Sequence, residues 1–124
     1  MATRILYVDD EPDIREIAAL ALQLDPDFEV RPCASGQEAL SAAAEWKPEL
    51  ILLDVMMPEM DGPTTLSKLR ADPATADIPV VFITARIQPS EIEELKRLGA
   101  RGVIAKPFDP MTLSARVKVH LGQE

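Results

Sequence analysis

The chain has 124 residues, 47% of them hydrophobic, which suits one domain with a core of its own. A formal net charge of -8 argues against nucleic acid and anionic lipid as direct ligands, because both draw affinity from Lys and Arg, and it favours a metal cation. The one cysteine, Cys33, excludes an internal disulfide and reads as a small core hydrophobe near a strand end rather than a reactive thiol. No apolar run reaches the length of a signal peptide core or a membrane span, which predicts a soluble, cytoplasmic protein.

Strand and helix patterns alternate along the whole chain. "RILYV" (4–8) is a short strand-forming run that stops at Asp9, Asp10 and Glu11. Pro12 suits a first helical turn, and Ile14, Ile17, Ala18, Ala21 and Leu24 form an apolar stripe at helical spacing. "DPD" (25–27) breaks that helix, and "FEVRPC" (28–33) alternates like an edge strand. Ser35 and Glu38 form a capping box before a helix that Lys47 and Pro48 end, with Trp46 packed at its last turn. "LILLD" (50–54) is apolar on both faces, as a central parallel strand is. Gly62 and Pro63 open the next helix, with Leu66 and Leu69 inward, and 72–79 is a loop. "VVFIT" (80–84) is a second buried strand. Ser90 and Glu93 repeat the capping box, "EIEELKR" (91–97) is a solvated helix face, and Gly99 is a helix stop. "GVIAK" (102–106) is the fifth strand, and Asp109 and Pro110 start the last helix, with His120 on its surface. Five strands alternating with five helices imply a parallel sheet covered on both faces.

Ligands of such a sheet bind beyond the carboxyl ends of its strands. Asp9 and Asp10, Asp54, Thr84 and Lys106 all end strands, so the topology gathers them at one edge. Singly, each has a plain structural role as a turn residue, a cap or a solvated charge. Together, three carboxylates without a counterion would repel and be costly to bury. A divalent cation and one lysine resolve that conflict. Mg²⁺ takes hard oxygen ligands and commonly uses one or two carboxylates plus a phosphate.

The segments "VDDEP" (8–12), "LLDVMMPEMDG" (52–62), "ITA" (83–85) and "KPF" (106–108) resemble the receiver domain of two-component response regulators in its short CheY-like form. The resemblance covers essentially the entire chain, 1–124, as one receiver domain. It implies a doubly wound five-stranded sheet of order 2-1-3-4-5 with five helices. It implies that Asp54 is the phosphoacceptor and that Asp10 is the direct Mg²⁺ ligand, with Asp9 binding through water or assisting and Mn²⁺ as a substitute metal. Met56 matches the position that lends the metal a backbone carbonyl. Thr84 matches the hydroxyl that bonds the phosphoryl group beside the backbone N–H of Ala85, and Lys106 the cation that pairs with a phosphoryl oxygen. The family often has a cis bond before the proline at Pro107. Partners implied are a histidine kinase or a histidine phosphotransfer protein as donor and a downstream protein of unknown identity. A monomer is expected, with dimerisation on activation left open.

Two features depart from the family pattern. A Tyr or Phe usually stands three residues before the conserved lysine as a rotating switch. Here that position is Val103, which implies weaker or differently routed coupling to the fourth helix, fifth strand and fifth helix. Met56 and Arg86, two residues beyond Asp54 and Thr84, occupy positions that tune phosphoryl lifetime, unless both merely flank the pocket in solvent. A phosphoacceptor rather than an enzyme is the expectation, acting as terminal messenger or relay intermediate, or as a piece of a longer kinase or regulator. A haloacid-dehalogenase-type phosphatase would need a carboxylate where Met56 stands. A flavodoxin-like phosphate loop would be repelled by "DDEPD".

Overall fold

The computed structural model describes residues 2–122. The elements run β1 (Thr3–Val8), α1 (Pro12–Gln23), β2 (Phe28–Cys33), α2 (Gly36–Trp46), β3 (Leu50–Asp54), α3 (Gly62–Ala71), β4 (Val80–Thr84), α4 (Pro89–Arg97), β5 (Gly102–Ala105) and α5 (Leu113–His120). All strand pairs are parallel, and the order is β2-β1-β3-β4-β5. This is the expected doubly wound sheet. Every residue of β3 and β4 is buried, which their continuous apolar runs foretold. Pro32, which cannot donate to a ladder, lies on the edge strand β2.

The two-residue period of the strands divides the core in two. Leu6, Val8, Ile51, Leu53, Val80 and Phe82 meet α2 and α3 through Ala39, Ala43, Leu66 and Leu69. Ile5, Tyr7, Leu50, Leu52, Val81 and Ile83 meet α1 and α5 through Ala18, Leu22, Leu113 and Val117. The buried face of α1 is therefore not the expected stripe. Ala18 and Leu22 face the sheet, whereas Ile17 and Leu24 are 48% and 84% exposed. The helix is apolar over most of its surface, so spacing alone does not select a face. The bulk of Tyr7 and Ile5 beneath it favours small residues.

Local signals decide the helix ends. Ser35 Oγ accepts from Glu38 N at 3.1 Å, and Glu38 Oε1 accepts from Ala34 N at 3.1 Å, so the capping box closes one residue earlier than the usual reciprocal bond. The second expected box does not form. Pro89, whose missing N–H costs nothing in a first turn, starts α4 with Gln88 before it, and Ser90 falls inside the helix. The last helix also begins later than expected. Asp109 accepts from Met111 N through its side chain (2.9 Å) and from Thr112 N through its carbonyl (3.0 Å), which closes a turn, and α5 starts at Leu113. Gly99 follows α4 with φ +118°, a backbone conformation L residues avoid. No helix among the described residues is long and apolar enough to cross a membrane.

Candidate functional site

The sheet brings the expected residues to one edge. Asp9 follows β1 and is fully buried; Asp54 ends β3, Thr84 ends β4, and Lys106 follows β5. The Lys106 N–H donates to the Thr84 carbonyl at 2.9 Å, so the sheet itself fixes where the lysine stem starts. Its side chain, 12% exposed, places Nζ 3.1 Å from Asp9 Oδ2, 3.3 Å from Asp54 Oδ2 and 3.3 Å from Glu11 Oε1. The Lys106–Pro107 bond is cis, as the resemblance implies.

Secondary contacts aim each carboxylate. Asp9 Oδ1 accepts from Glu11 N (3.0 Å), and its Oδ2 accepts from the Tyr7 hydroxyl (3.2 Å). Arg15 Nη1 donates to the Asp9 carbonyl at 2.8 Å, tying α1 to the strand end. The Met56 N–H points at Asp54 Oδ1 at 3.4 Å. Behind Asp54, the Gly62 N–H donates to the Val55 carbonyl at 2.9 Å. The Gly62 Cα comes so close that a Cβ there would lie 2.5 Å from the Asp54 carbonyl oxygen. The missing side chain thus lets α3 seat directly against the turn that carries Asp54.

Burial and the charge of Asp9 push the Asp54 carboxyl up to about 6, although the Lys106 ammonium pulls the other way. Burial alone would lower the Lys106 ammonium, but its bond to Asp9 and the charges of Asp54 and Asp9 outweigh that and hold it above its ordinary value. Burial, then Asp9, push the Tyr7 phenol up, so it stays a neutral donor. The cluster is three acids sharing one ammonium.

Glu11 is the residue the sequence does not single out. Asp9, Glu11 and Asp54 offer carboxylate oxygens within 4.8 Å of one another, and Asp10 is outside that group. The chain leaves β1 at Val8 and bends at Asp10, and across that bend Glu11 N donates to Asp9 Oδ1, which brings Glu11 back beside Asp9 while Asp10, half-buried, stays outside the group. In the sequence Glu11 precedes Pro12 and reads as a helix-start residue.

The remaining candidates fall around this centre. Thr84 is 3% exposed, and its Oγ1 accepts from Arg86 N at 3.0 Å. Ala85 and the Arg86 side chain are exposed, and Met56 is 66% exposed, so both lifetime positions lie in solvent beside the pocket. Cys33 is buried, and burial lifts its thiol to about 11, as a core residue requires. Trp46 packs on the core with the Arg4 guanidinium 6.0 Å from its ring centre. Val103 is half-buried and lines a cleft with Ile104, Arg116, Val119 and His120. His120 is not a free surface residue: its ring packs over Gly102, where a Cβ would collide with it. Burial, then Lys96, Arg101 and Arg116, hold its imidazole below the ordinary 6.5.

A family model for the response regulator receiver domain matches residues 5–118. The chain belongs to that family. Its relatives include the response regulator PleD of Caulobacter vibrioides, 43% identical over 120 residues, covering 95% of this chain and 26% of that protein. The response regulator Rre1 of Synechocystis sp. is 38% identical over 120 residues, covering 97% of this chain and 52% of that one. The chemotaxis response regulator CheY4 of Vibrio cholerae has the same fold, with a TM-score of 0.89 at 32% identity, over 97% of this chain and 99% of that one. This receiver domain spans about half the length of several curated relatives it matches. Receiver domains bind Mg²⁺ at an acidic pocket and interact with histidine kinases or phosphotransfer proteins. The donor set of this chain fits such an ion: hard carboxylate oxygens, three acids against one lysine, converging at the carboxyl edge of the sheet.

Proposed function

We propose that this receiver domain takes a phosphoryl group from a phosphohistidine donor onto Asp54, with Mg²⁺ as cofactor, and thereby switches its contacts with another protein. The observation that carries the reading is the placement of Asp54. It is the buried carboxylate at the end of β3, 3.3 Å from the Lys106 ammonium and next to the Thr84 strand end. An Asp54 oxygen attacks phosphorus, the P–N bond of the donor breaks, and its electron pair returns to the imidazole, which takes up a proton. The acidic residues after β1, Asp54 itself and the Met56 carbonyl would hold the metal. Bound there, Mg²⁺ supplies positive charge that offsets the repulsion between a carboxylate and an anionic phosphoryl group.

The chain's own residues do the rest. Lys106 balances charge on a phosphoryl oxygen. The Ala85 N–H and the Thr84 hydroxyl donate to the other oxygens, for which Thr84 turns its free O–H toward the phosphoryl group and carries along the bond its Oγ1 accepts from Arg86 N. That reorientation links phosphorylation to the β4–α4 loop and is the first step of the switch. The small side chain at 85 leaves the acceptor open to a donor histidine. With Val103 where a rotating aromatic ring usually stands, the signal passes onward more weakly or by another route. Met56 folds over the phosphoryl group and shields it from water.

Borohydride trapping after phosphorylation tests the assignment. Reduction of an acyl phosphate at Asp54 leaves homoserine at position 54, read by peptide mass spectrometry. Homoserine at position 9 or 10, or 2-amino-5-hydroxypentanoic acid at position 11, with position 54 unmodified, would overturn it.

A further inference from the structure

Tyr7 is the chain's one tyrosine, and packing alone gives no reason for its hydroxyl. The residue is fully buried and belongs to the apolar cluster that the sheet shares with α1 and α5, together with Ile5, Ala18, Leu22 and Leu52. A phenyl ring would fill the same space, and a buried hydroxyl is costly unless it finds a partner. The partner is Asp9, whose Oδ2 accepts from the Tyr7 hydroxyl at 3.2 Å. The same Oδ2 stands 3.1 Å from Lys106 Nζ, while Asp9 Oδ1 accepts from Glu11 N at 3.0 Å. Each Asp9 oxygen therefore has a donor from its own stretch of chain, and the carboxylate is oriented without help from Lys106.

The three acids around Lys106 differ in how well they can fix it. Glu11 is 57% exposed at the side chain. Asp54 is the reacting group of the proposed function, so its own oxygens change as the reaction proceeds. Asp9 is fully buried and keeps its carboxylate throughout. A lysine ammonium rides on a flexible four-carbon stem, so its place is set by the partner that does not move.

We propose that Tyr7 is a positioning residue for phosphoryl transfer: its hydroxyl fixes Asp9 Oδ2, and Asp9 in turn holds the Lys106 ammonium beside Asp54. The inference deepens the reading given to Asp54 and Lys106 and rests on it. Tyr7 acts only through Asp9. Without the hydroxyl, Asp9 keeps its bond to Glu11 N but is free to turn about it, and the ammonium loses its fixed point.

Tyr7→Phe keeps the ring and removes only the hydroxyl. In NMR with chelator present, the Lys106 ammonium hydrogens are expected to exchange with water several-fold faster in this variant than in the unaltered protein. Equal exchange in the two proteins would overturn the proposal. A double-mutant cycle then reads the rate of phosphorylation by acetyl phosphate with Mg²⁺. Tyr7→Phe is expected to slow it roughly fivefold, and in a Lys106→Met background by less than about twofold, because the group being positioned is gone. Equal slowing in both backgrounds would overturn the proposal and leave the hydroxyl as general support for the fold. No slowing in the Lys106-containing protein would overturn it as well. Should Lys106→Met fail to fold, the exchange measurement together with the rate of Tyr7→Phe decides. The exchange measurement uses no phosphoryl donor, so its failure is separate from a failure of the borohydride result at position 54.

Discussion

Replacing Asp54 by asparagine is expected to make the metal-free protein more stable at neutral pH. The Asp54 carboxyl is raised from 3.8 to about 6, which corresponds to about 3 kcal/mol by which folding disfavours its ionised form. That figure already includes the attraction of Lys106, so it measures the residual cost of burial and of Asp9. The sign follows from linkage. A carboxyl with a raised folded-state value binds more protons when folded, so its contribution is fully present below about pH 4 and is lost as pH rises through about 6. The amide of the Asp54→Asn variant never ionises, so the variant avoids that loss. Urea denaturation in the presence of a chelator is expected to show the two proteins nearly equal below pH 4. The variant should gain about 2–3 kcal/mol by pH 7.5, roughly 10 °C in Tm for a chain of this length. A gap independent of pH, or a variant less stable at pH 7.5, would refute the reasoning. The residue proposed to receive the phosphoryl group would then not be strained by its own pocket.

Gly62→Ala is expected to cost about 1–3 kcal/mol by overpacking, because its Cβ would lie 2.5 Å from the Asp54 carbonyl oxygen and 2.9 Å from Phe82 Cε1; unchanged denaturation would contradict the close seating of α3. Gly102→Ala is expected to expel the His120 ring into solvent, and its imidazole should titrate closer to 6.5 in NMR, since burial is the main cause of its lowered value. An unmoved titration would mean that the ring does not rest on Gly102. Met56→Ala is expected to shorten the lifetime of the phosphorylated form several-fold, and an unchanged lifetime would leave Met56, 66% exposed, as a mere neighbour of the pocket.

The fold was legible wherever one physical signal acted alone. "LILLD" and "VVFIT" are buried on both faces and could only be central strands. The edge position of β2 followed from the alternation of its residues. Where two signals compete, the sequence does not rank them. Ser90 is a good cap, but Pro89 is a better first residue, and the proline starts the helix. Asp109 can open a helix or close a turn, and its bonds to Met111 and Thr112 close the turn. At the site, strand ends placed Asp9, Asp54, Thr84 and Lys106 correctly, because the topology of a parallel sheet fixes that edge. Side-chain direction was not available in the same way. Glu11 joins the cluster and Asp10 does not because the chain bends at Asp10, and His120 finds Gly102 from the far end of α5 with no local trace.

The central claim is tested most directly by intact-mass spectrometry after incubation with acetyl phosphate, with and without Mg²⁺, on the unaltered protein and on Asp54→Ala. The account predicts a single labile phosphoryl adduct that requires both the metal and Asp54. An adduct that persists in Asp54→Ala, or that forms equally well in chelator, would contradict it.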